Sequence, residues 1–318
     1  MTKHTKGYLL MIVSAVLSST TEVALKAIGD AFSPMQVSFE RVLIGAIVLL
    51  PFALRSIREK KIRFDQSDWL FLAMLGFLTV PLHMAFQQMA IIRMDASAAA
   101  TIYSGNPVFA IIIAYFVLHE PLRKNHIFAI LLELIGILFL LNPARLELDP
   151  IGFIEIICAT AIIAFYNTLC KLRMNRLSGT VLAVFSMLFG SLELFVILML
   201  GRVSGVAELM NRCGLAAFAN VSLLHGFTLR STLLLIYVGV FCAGIGLLLT
   251  TKITEYTSAT EASFTFLVRP ILATAVAAWV LNETISTNRM IGIAFFVASS
   301  ACVIIPKLKD VSRERSRK

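Results

Sequence analysis

Apolar residues dominate the chain in long runs from about residue 7 to residue 305, and charged residues, prolines and glycines break those runs at intervals. The pattern predicts ten helical spans near 7–29, 34–54, 69–92, 96–118, 125–142, 151–171, 179–200, 232–252, 258–281 and 287–305. Each is close to the roughly 20 apolar residues needed to cross a bilayer as a helix. Period-two alternation is absent, which argues against a membrane β-barrel. The first run follows Lys3 and Lys6 as a signal peptide would, but it is too long for an h-region and no clear cleavage site follows, so it reads as a retained helix. Trp69 opens the third span and Trp279 nears the end of the ninth, at depths where tryptophans anchor to the interface.

The spans fall into two similar sets. Shifted by 163 residues, 95–143 lies on 258–306: Pro107 meets Pro270, Ala110 and Ala114 meet Ala273 and Ala277, Glu120 meets Glu283, Asn125 meets Asn288 and Pro143 meets Pro306. Shifted by 145, Gly7 meets Gly152, Glu22 meets Asn167 and Lys26 meets Lys171. The longer segment at 201–231 absorbs the difference and is expected to form an interfacial helix. The expected fold class is therefore an all-α polytopic membrane protein of ten transmembrane helices, arranged as two five-helix repeats over 1–146 and 147–318. An odd number of spans per repeat inserts the second copy upside down relative to the first, an arrangement typical of secondary transporters.

Composition agrees: 58% of the 318 residues are hydrophobic, 15% are charged, and mean hydropathy is +0.86. Soluble domains run near half apolar and a quarter charged, and disorder is excluded by hydrophobicity. The net charge of +9 reads as topology information and not as a nucleic-acid surface. With the N-terminus inside, nineteen lysines and arginines fall on inside segments and seven outside, so both termini are expected in the cytoplasm of an inner or plasma membrane. Five scattered cysteines form no CxxC, and no metal-ligand cluster, cofactor motif or Walker motif appears. No cofactor is expected. The expected partners are a small-molecule substrate and the lipid bilayer, with homo-oligomerisation left open.

Three segments carry a family likeness: SPMQVSFERVLIGAIVLLPF at 33–52, NPVFAIIIAYFVLHEPL at 106–122 and RPILATAVAAWVLNETI at 269–285. The chain resembles the EamA-type family of the drug/metabolite transporter superfamily over nearly its whole length. The resemblance implies ten helices, cytoplasmic termini, a central cavity, and export or exchange of small metabolites, often amino acids or related compounds. His119 and Asn282 stand where the family commonly has glycine, and Glu133 lies in a helix that is usually apolar there.

Polar residues inside the spans are the candidate binding groups, because a charge at the bilayer centre is costly and needs a partner. Arg269, mid-span beside Pro270, offers a guanidinium fork to a substrate carboxylate; the plainer reading is an ion pair with Glu261, Glu22 or Glu193. His83 and Gln87 lie one turn apart after Pro81 and read as pocket lining, with His83 a candidate proton-coupling group. Glu22 and Asn167 are repeat equivalents, although Glu22 also has Lys26 at i+4. Tyr103 and Asn106 on the fourth span and Tyr166 on the sixth complete the set; aromatic walls with a few polar groups suit a small-molecule site and ordinary packing alike. Pro107 is expected to free the Tyr103 carbonyl and Pro270 that of Phe266. Arg41 is expected to anchor a helix end beside Glu40. Glu120 and Glu283 are expected to accept from the amides of the helix that follows each.

Other solutes, nucleotide-sugar-like or cationic, remain alternatives for such a pocket. An intramembrane enzyme would need clustered carboxylates, a metal-ligand set or a nucleophile–base pair; neither HExxH nor GxSxG occurs, and no span holds paired aspartates. A channel or non-transporting scaffold is the remaining rival.

Overall fold

The structure is a computed structural model and describes residues 10, 13–118, 124–141, 149–256 and 264–316. Lys3, Lys6, His119, Glu120, Pro143 and Glu261 lie outside the described residues, so the expectations placed on them are not taken further.

The chain runs through α1 (13–19), α2 (Thr21–Ile28), α3 (Pro34–Lys60), α4 (Gln66–Phe77), a wide-turned π segment (Leu78–Met84), α5 (Ala85–Arg93), α6 (Ala96–Tyr103), α7 (Asn106–Leu118) and α8 (Lys124–Leu141). It continues with α9 (Pro150–Leu177), α10 (Gly179–Leu200), α11 (Ser204–Arg212), α12 (Leu229–Tyr237), a second π segment (Val238–Ile245), α13 (Gly246–Tyr256), α14 (Phe264–Leu281) and α15 (Thr287–Ser316). No strand occurs among the described residues. Six stretches among them are long and apolar enough to cross a membrane: Pro34–Lys60, Gln66–Arg93, Ala96–Val117, Pro150–Met174, Gly179–Leu200 and Leu229–Thr250. Arg269–Leu281 is a shorter apolar helix.

Side chains are distributed inside out. Leu70 is 74% exposed, Phe116 69% and Trp279 84%, whereas Glu22, Arg41, Gln87 and Gln88 are buried. Water would not tolerate that much outward apolar area, but lipid does.

The sequence repeat reappears as helix boundaries. Gln66–Arg93 and Leu229–Tyr256 begin and end 163 residues apart, each opens on a capping box (Asp65 with Asp68, Thr228 with Ser231), and each contains a π segment. Lys124 and Thr287, the first residues of α8 and α15, share the same offset. Equivalent helices then pack on one another in opposite directions. Along α3 and α10, Phe39 lies against Phe195, a Cβ on Gly45 would come 2.8 Å from Met187, and Ser56 bonds Ser178 at 2.9 Å. Along α8 and α15, Asn125 donates to the Cys302 carbonyl, Ser299 to that of Ala129, and Phe139 stacks on Phe295. In both pairs one number rises as the other falls.

Glycines allow the two sets to interlock. A Cβ on Gly45 would sit 2.9 Å from the Gly239 carbonyl, and one on Gly76 would sit 2.6 Å from the Gly190 amide. Gly45 and Gly190 are equivalents at offset 145, and Gly76 and Gly239 at offset 163. The contact is thus made twice with the partners exchanged, as a two-fold relation requires. Backbones this close need residues without side chains.

The stretch Ala96–Val117 is broken. Helix α6 ends at Tyr103 and α7 starts at Asn106, with Pro107 in its first turn, and the Glu133 carboxylate lies where a side chain on Gly105 would go. Glu133 otherwise accepts from the Ser299 hydroxyl at 3.4 Å. Pro270, by contrast, sits within a continuous helix.

Ion pairs gather at the two ends. At one, Lys26 donates to the Met94 carbonyl and lies 3.9 Å from Asp95, which accepts from Arg289 at 2.5 Å. Lys26 therefore does not neutralise Glu22. Glu283 accepts from the amides of Ala96 and Ser97 at 2.8 and 3.3 Å. Those amides begin α6, not the helix that follows Glu283, so the expected local cap is in fact a tie between the halves, favoured by the α6 dipole. At the other end Arg173 and Arg176 hold Asp68 and Asp65, each at 2.7 Å. The hydrogen bond from Arg176 holds the Asp65 carboxyl below its ordinary range. Within 201–231 the expected helix is α11, nine residues long with Ala207 its buried side chain, and Arg202 closes the loop onto the Val221 carbonyl at 2.9 Å.

Candidate functional site

A cavity of about 150 Å³ lies between the two sets of helices, the volume of roughly five waters. Its walls come from α1, α2, α3, both π segments, α5, α6, α9, α13 and Arg269 of α14. Wide turns of this kind recur at functional sites because they push side chains and carbonyls out of helical register. In Leu78–Met84 Pro81 supplies a reason for the widening, since it has no amide to donate.

Equivalent positions face each other across the cavity. Thr79, His83, Met84 and Gln87 line it from the first half; Cys242, Gly246, Leu247 and Thr250, each 163 residues on, line it from the second. The frame is symmetric but the chemistry is not. Charged and strongly polar groups come mainly from the first half, where the second offers small or neutral ones.

Five of the eight residues singled out from sequence line the cavity: His83, Gln87, Tyr103, Asn167 and Arg269. Glu22 stands just behind, fully buried, where it accepts from the Arg269 Nη2 and from Gln87 Nε2 at 3.4 Å. Arg269 also stacks its guanidinium over the Tyr103 ring at 4.5 Å. His83 Nδ1 lies 3.3 Å from the Thr79 carbonyl, which only accepts, so that nitrogen carries a hydrogen; Nε2 lies 3.0 Å from the Tyr103 hydroxyl. Both ring nitrogens are thereby engaged.

The other two residues of the set are placed elsewhere. Asn106 is buried with its amide 3.4 Å from the Thr160 carbonyl of α9, because the break at Ser104–Gly105 turns it away from the face of Tyr103. Tyr166 is buried against α10, its hydroxyl 2.9 Å from that of Ser186. Adjacent helical residues point about 100° apart, so Asn167 can line the cavity while Tyr166 cannot.

Arg41 is the residue that the sequence reading misplaced. It is buried in α3, lines the cavity, and donates from Nη2 to Gln87 Oε1 at 3.3 Å. Glu40 instead accepts from Gln36 at 3.0 Å on another face of the helix. A usable signal was present: no acidic residue stands three or four positions from Arg41 on either side, so the helix offers it no local partner. Gln87 thus links Arg41 to the Glu22–Arg269 pair through one amide.

Comparison with known proteins places this architecture. The profile of the EamA-like transporter family matches residues 5–142 and again 150–305. A relative from Clostridium kluyveri that bears the name "uncharacterized transporter" is 33% identical over 304 residues, covering 93% of this chain and 92% of its own. Another of that name from Archaeoglobus fulgidus is 26% identical over 293 residues, covering 92% and 94%. A solved crystal structure superposes with a TM-score of 0.63 at 18% identity, over 95% of this chain and 98% of its own, a likeness of fold alone. Two profile matches in tandem, apolar spans with outward-facing side chains and a polar interior identify a multi-pass membrane protein that belongs to the EamA-like transporter family, within the drug/metabolite transporter superfamily.

Proposed function

We infer that the protein is a secondary transporter that exports or exchanges a small metabolite by alternating access of two inverted five-helix halves, ten spans in all, with both termini in the cytoplasm of the plasma membrane. The observation that carries this reading is the cavity itself: a chamber with a mainly apolar wall and a few charged and polar groups, at the contact of two antiparallel sets of helices and lined by equivalent positions of both. Sites of this kind, near mid-bilayer between repeats, open to one side and then the other as one half rocks against its partner. Glu22, His83, Gln87, Tyr103, Asn167 and Arg269 are the residues assigned to substrate or to its immediate support. Asn106 and Tyr166 hold helices together. The cytoplasmic assignment of the termini is supported by the excess of lysine and arginine on the segments facing that side.

Cys242, native to the cavity wall, tests the reading. With Cys158, Cys170, Cys213 and Cys302 replaced, a membrane-impermeant thiol reagent is expected to reach Cys242 from either face of sealed vesicles. Labelling from one face alone, under every condition, contradicts alternating access.

A further inference from the structure

The cavity holds two guanidinium groups and, among the described residues, one carboxylate to balance them. That carboxylate already faces a cation: Glu22 accepts from Arg269 through Oε1, its Oε2 having no hydrogen-bond partner, and Arg269 is further held over the Tyr103 ring. Arg41 is left with a neutral partner. It is 2% exposed, its Nη2 reaches the Gln87 oxygen at 3.3 Å, its Nε has no hydrogen-bond partner, and no carboxylate among the described residues lies within ion-pair distance of it. A permanently charged guanidinium with a donor that no protein group takes is costly to keep in a membrane interior. Yet it faces a space large enough for a small molecule, with Met84, Ile163, Leu247 and Ile253 supplying apolar wall.

We propose that the transported substrate is a small net monoanion, a carboxylate without a balancing ammonium, and that Arg41 is the residue that reads its charge. The proposal rests on the transporter reading above and goes further by naming the substrate class. A carboxylate accepting from the Arg41 fork satisfies the unused Nε hydrogen and brings the cluster to two cations and two anions. A cationic substrate would add a third positive charge. A zwitterion is neutral overall and would leave the two guanidiniums and one carboxylate a full positive charge out of balance. The hydroxyls of Ser14, Ser18, Thr21 and Thr79 suit the polar remainder of an organic acid, not a second charge. Arg269, the residue the sequence favours for this task, instead fixes Glu22 and through it Gln87, which positions Arg41.

The test uses the full chain, purified and reconstituted. Acetate, butyrate, 3-methylbutanoate and 3-phenylpropanoate are each compared with the matching primary amide, the matching amine and the corresponding α-amino acid, by thermal shift and by counterflow in proteoliposomes. At least one carboxylate is expected to stabilise the parent and to exchange saturably, while its amide and amine do neither. Arg41→Gln should bind that carboxylate roughly thirtyfold more weakly or worse, as expected when one partner of a desolvated charged contact is removed. Arg41→Lys, which keeps the charge and so does not depend on the protein tolerating its loss, should retain binding at reduced affinity. The proposal falls if no carboxylate of the panel protects the parent, if amino acids or amines are carried in preference, or if Arg41→Gln folds and binds the carboxylate as the parent does. Exchange of amides or amines in place of acids removes the anion assignment and leaves the transport reading standing. One-sided labelling of Cys242 would remove the transport reading itself.

Discussion

The two halves share a backbone plan and differ where they face the cavity. Helix boundaries coincide at a fixed offset, a π segment occurs within both Gln66–Arg93 and Leu229–Tyr256, and the glycine contact between halves is made twice. At the cavity, however, Glu22 has Asn167 as its counterpart, Arg41 has Ser186, His83 has Gly246, Gln87 has Thr250, and Arg269 has Asn106. Backbone symmetry fits the proposed alternating access, in which two equivalent halves rock against each other. Asymmetric side chains fit the proposed recognition of a small organic acid, which has one charged end. The first half supplies most of the charged and polar groups at the cavity, and the second contributes Asn167, Thr250, Arg269 and room.

Substitutions can break that division, starting with its most strongly coupled members. Glu22→Ala leaves two buried guanidiniums without a counter-charge and is expected to cost about 3–5 kcal/mol, read as a lowered unfolding temperature in detergent. The double variant Glu22→Gln with Arg269→Gln removes both charges and should recover most of that loss; failure to recover would mean that the pair is not the coupled unit described. Next come the shared contacts. Gly76→Val or Gly190→Val places a side chain against the facing backbone and should cost about 1–3 kcal/mol, whereas Gly205→Val, with nothing within 4 Å of its added Cβ, should be nearly silent. Equal losses at Gly76 and Gly205 would refute the interlock.

A smaller effect separates packing from recognition. Tyr166→Phe deletes the hydroxyl contact with Ser186 and should lower stability by about 1 kcal/mol while leaving transport affinity unchanged. A shifted affinity would return Tyr166 to the site. The smallest effect is expected at the exposed end. Asp65 is held below its ordinary range by Arg176, so its contribution is present above the unfolded carboxyl value and is lost as pH falls through the folded one. Asp65→Asn keeps a capping side chain but removes the charge. Its unfolding temperature should lie slightly below the parent's at neutral pH, and the two should converge in acid. A gap that persists in acid would assign the effect to the cap.

Much of the frame was legible in the sequence because a repeat is written in spacing. Pro107 and Pro270 at one offset, and the apolar runs around them, anticipate helix ends that the structure places at the same interval. Facing directions were less legible. Glu40 and Arg41 are neighbours in sequence, yet one turns to Gln36 and the other into the cavity. Asn106 looked collinear with Tyr103 until the break between α6 and α7 rotated it. Lys26 looked paired to Glu22 at helical spacing, but carbonyl and carboxylate partners on another segment claim it, and Arg269 claims Glu22 from the far half. Local periodicity ranks neighbours along one helix; it does not rank them against partners more than 200 residues away.

The central claim is that the halves lie upside down relative to each other around one cavity, and equivalent exposed loop positions test it most directly. Lys61 and Leu224 are such a pair at offset 163, both exposed. With the native cysteines replaced, Lys61→Cys and Leu224→Cys are labelled separately by an impermeant maleimide in vesicles of known orientation. The account predicts reaction from opposite faces, Lys61→Cys from the cytoplasmic side and Leu224→Cys from the other; reaction of both from the same face would contradict it.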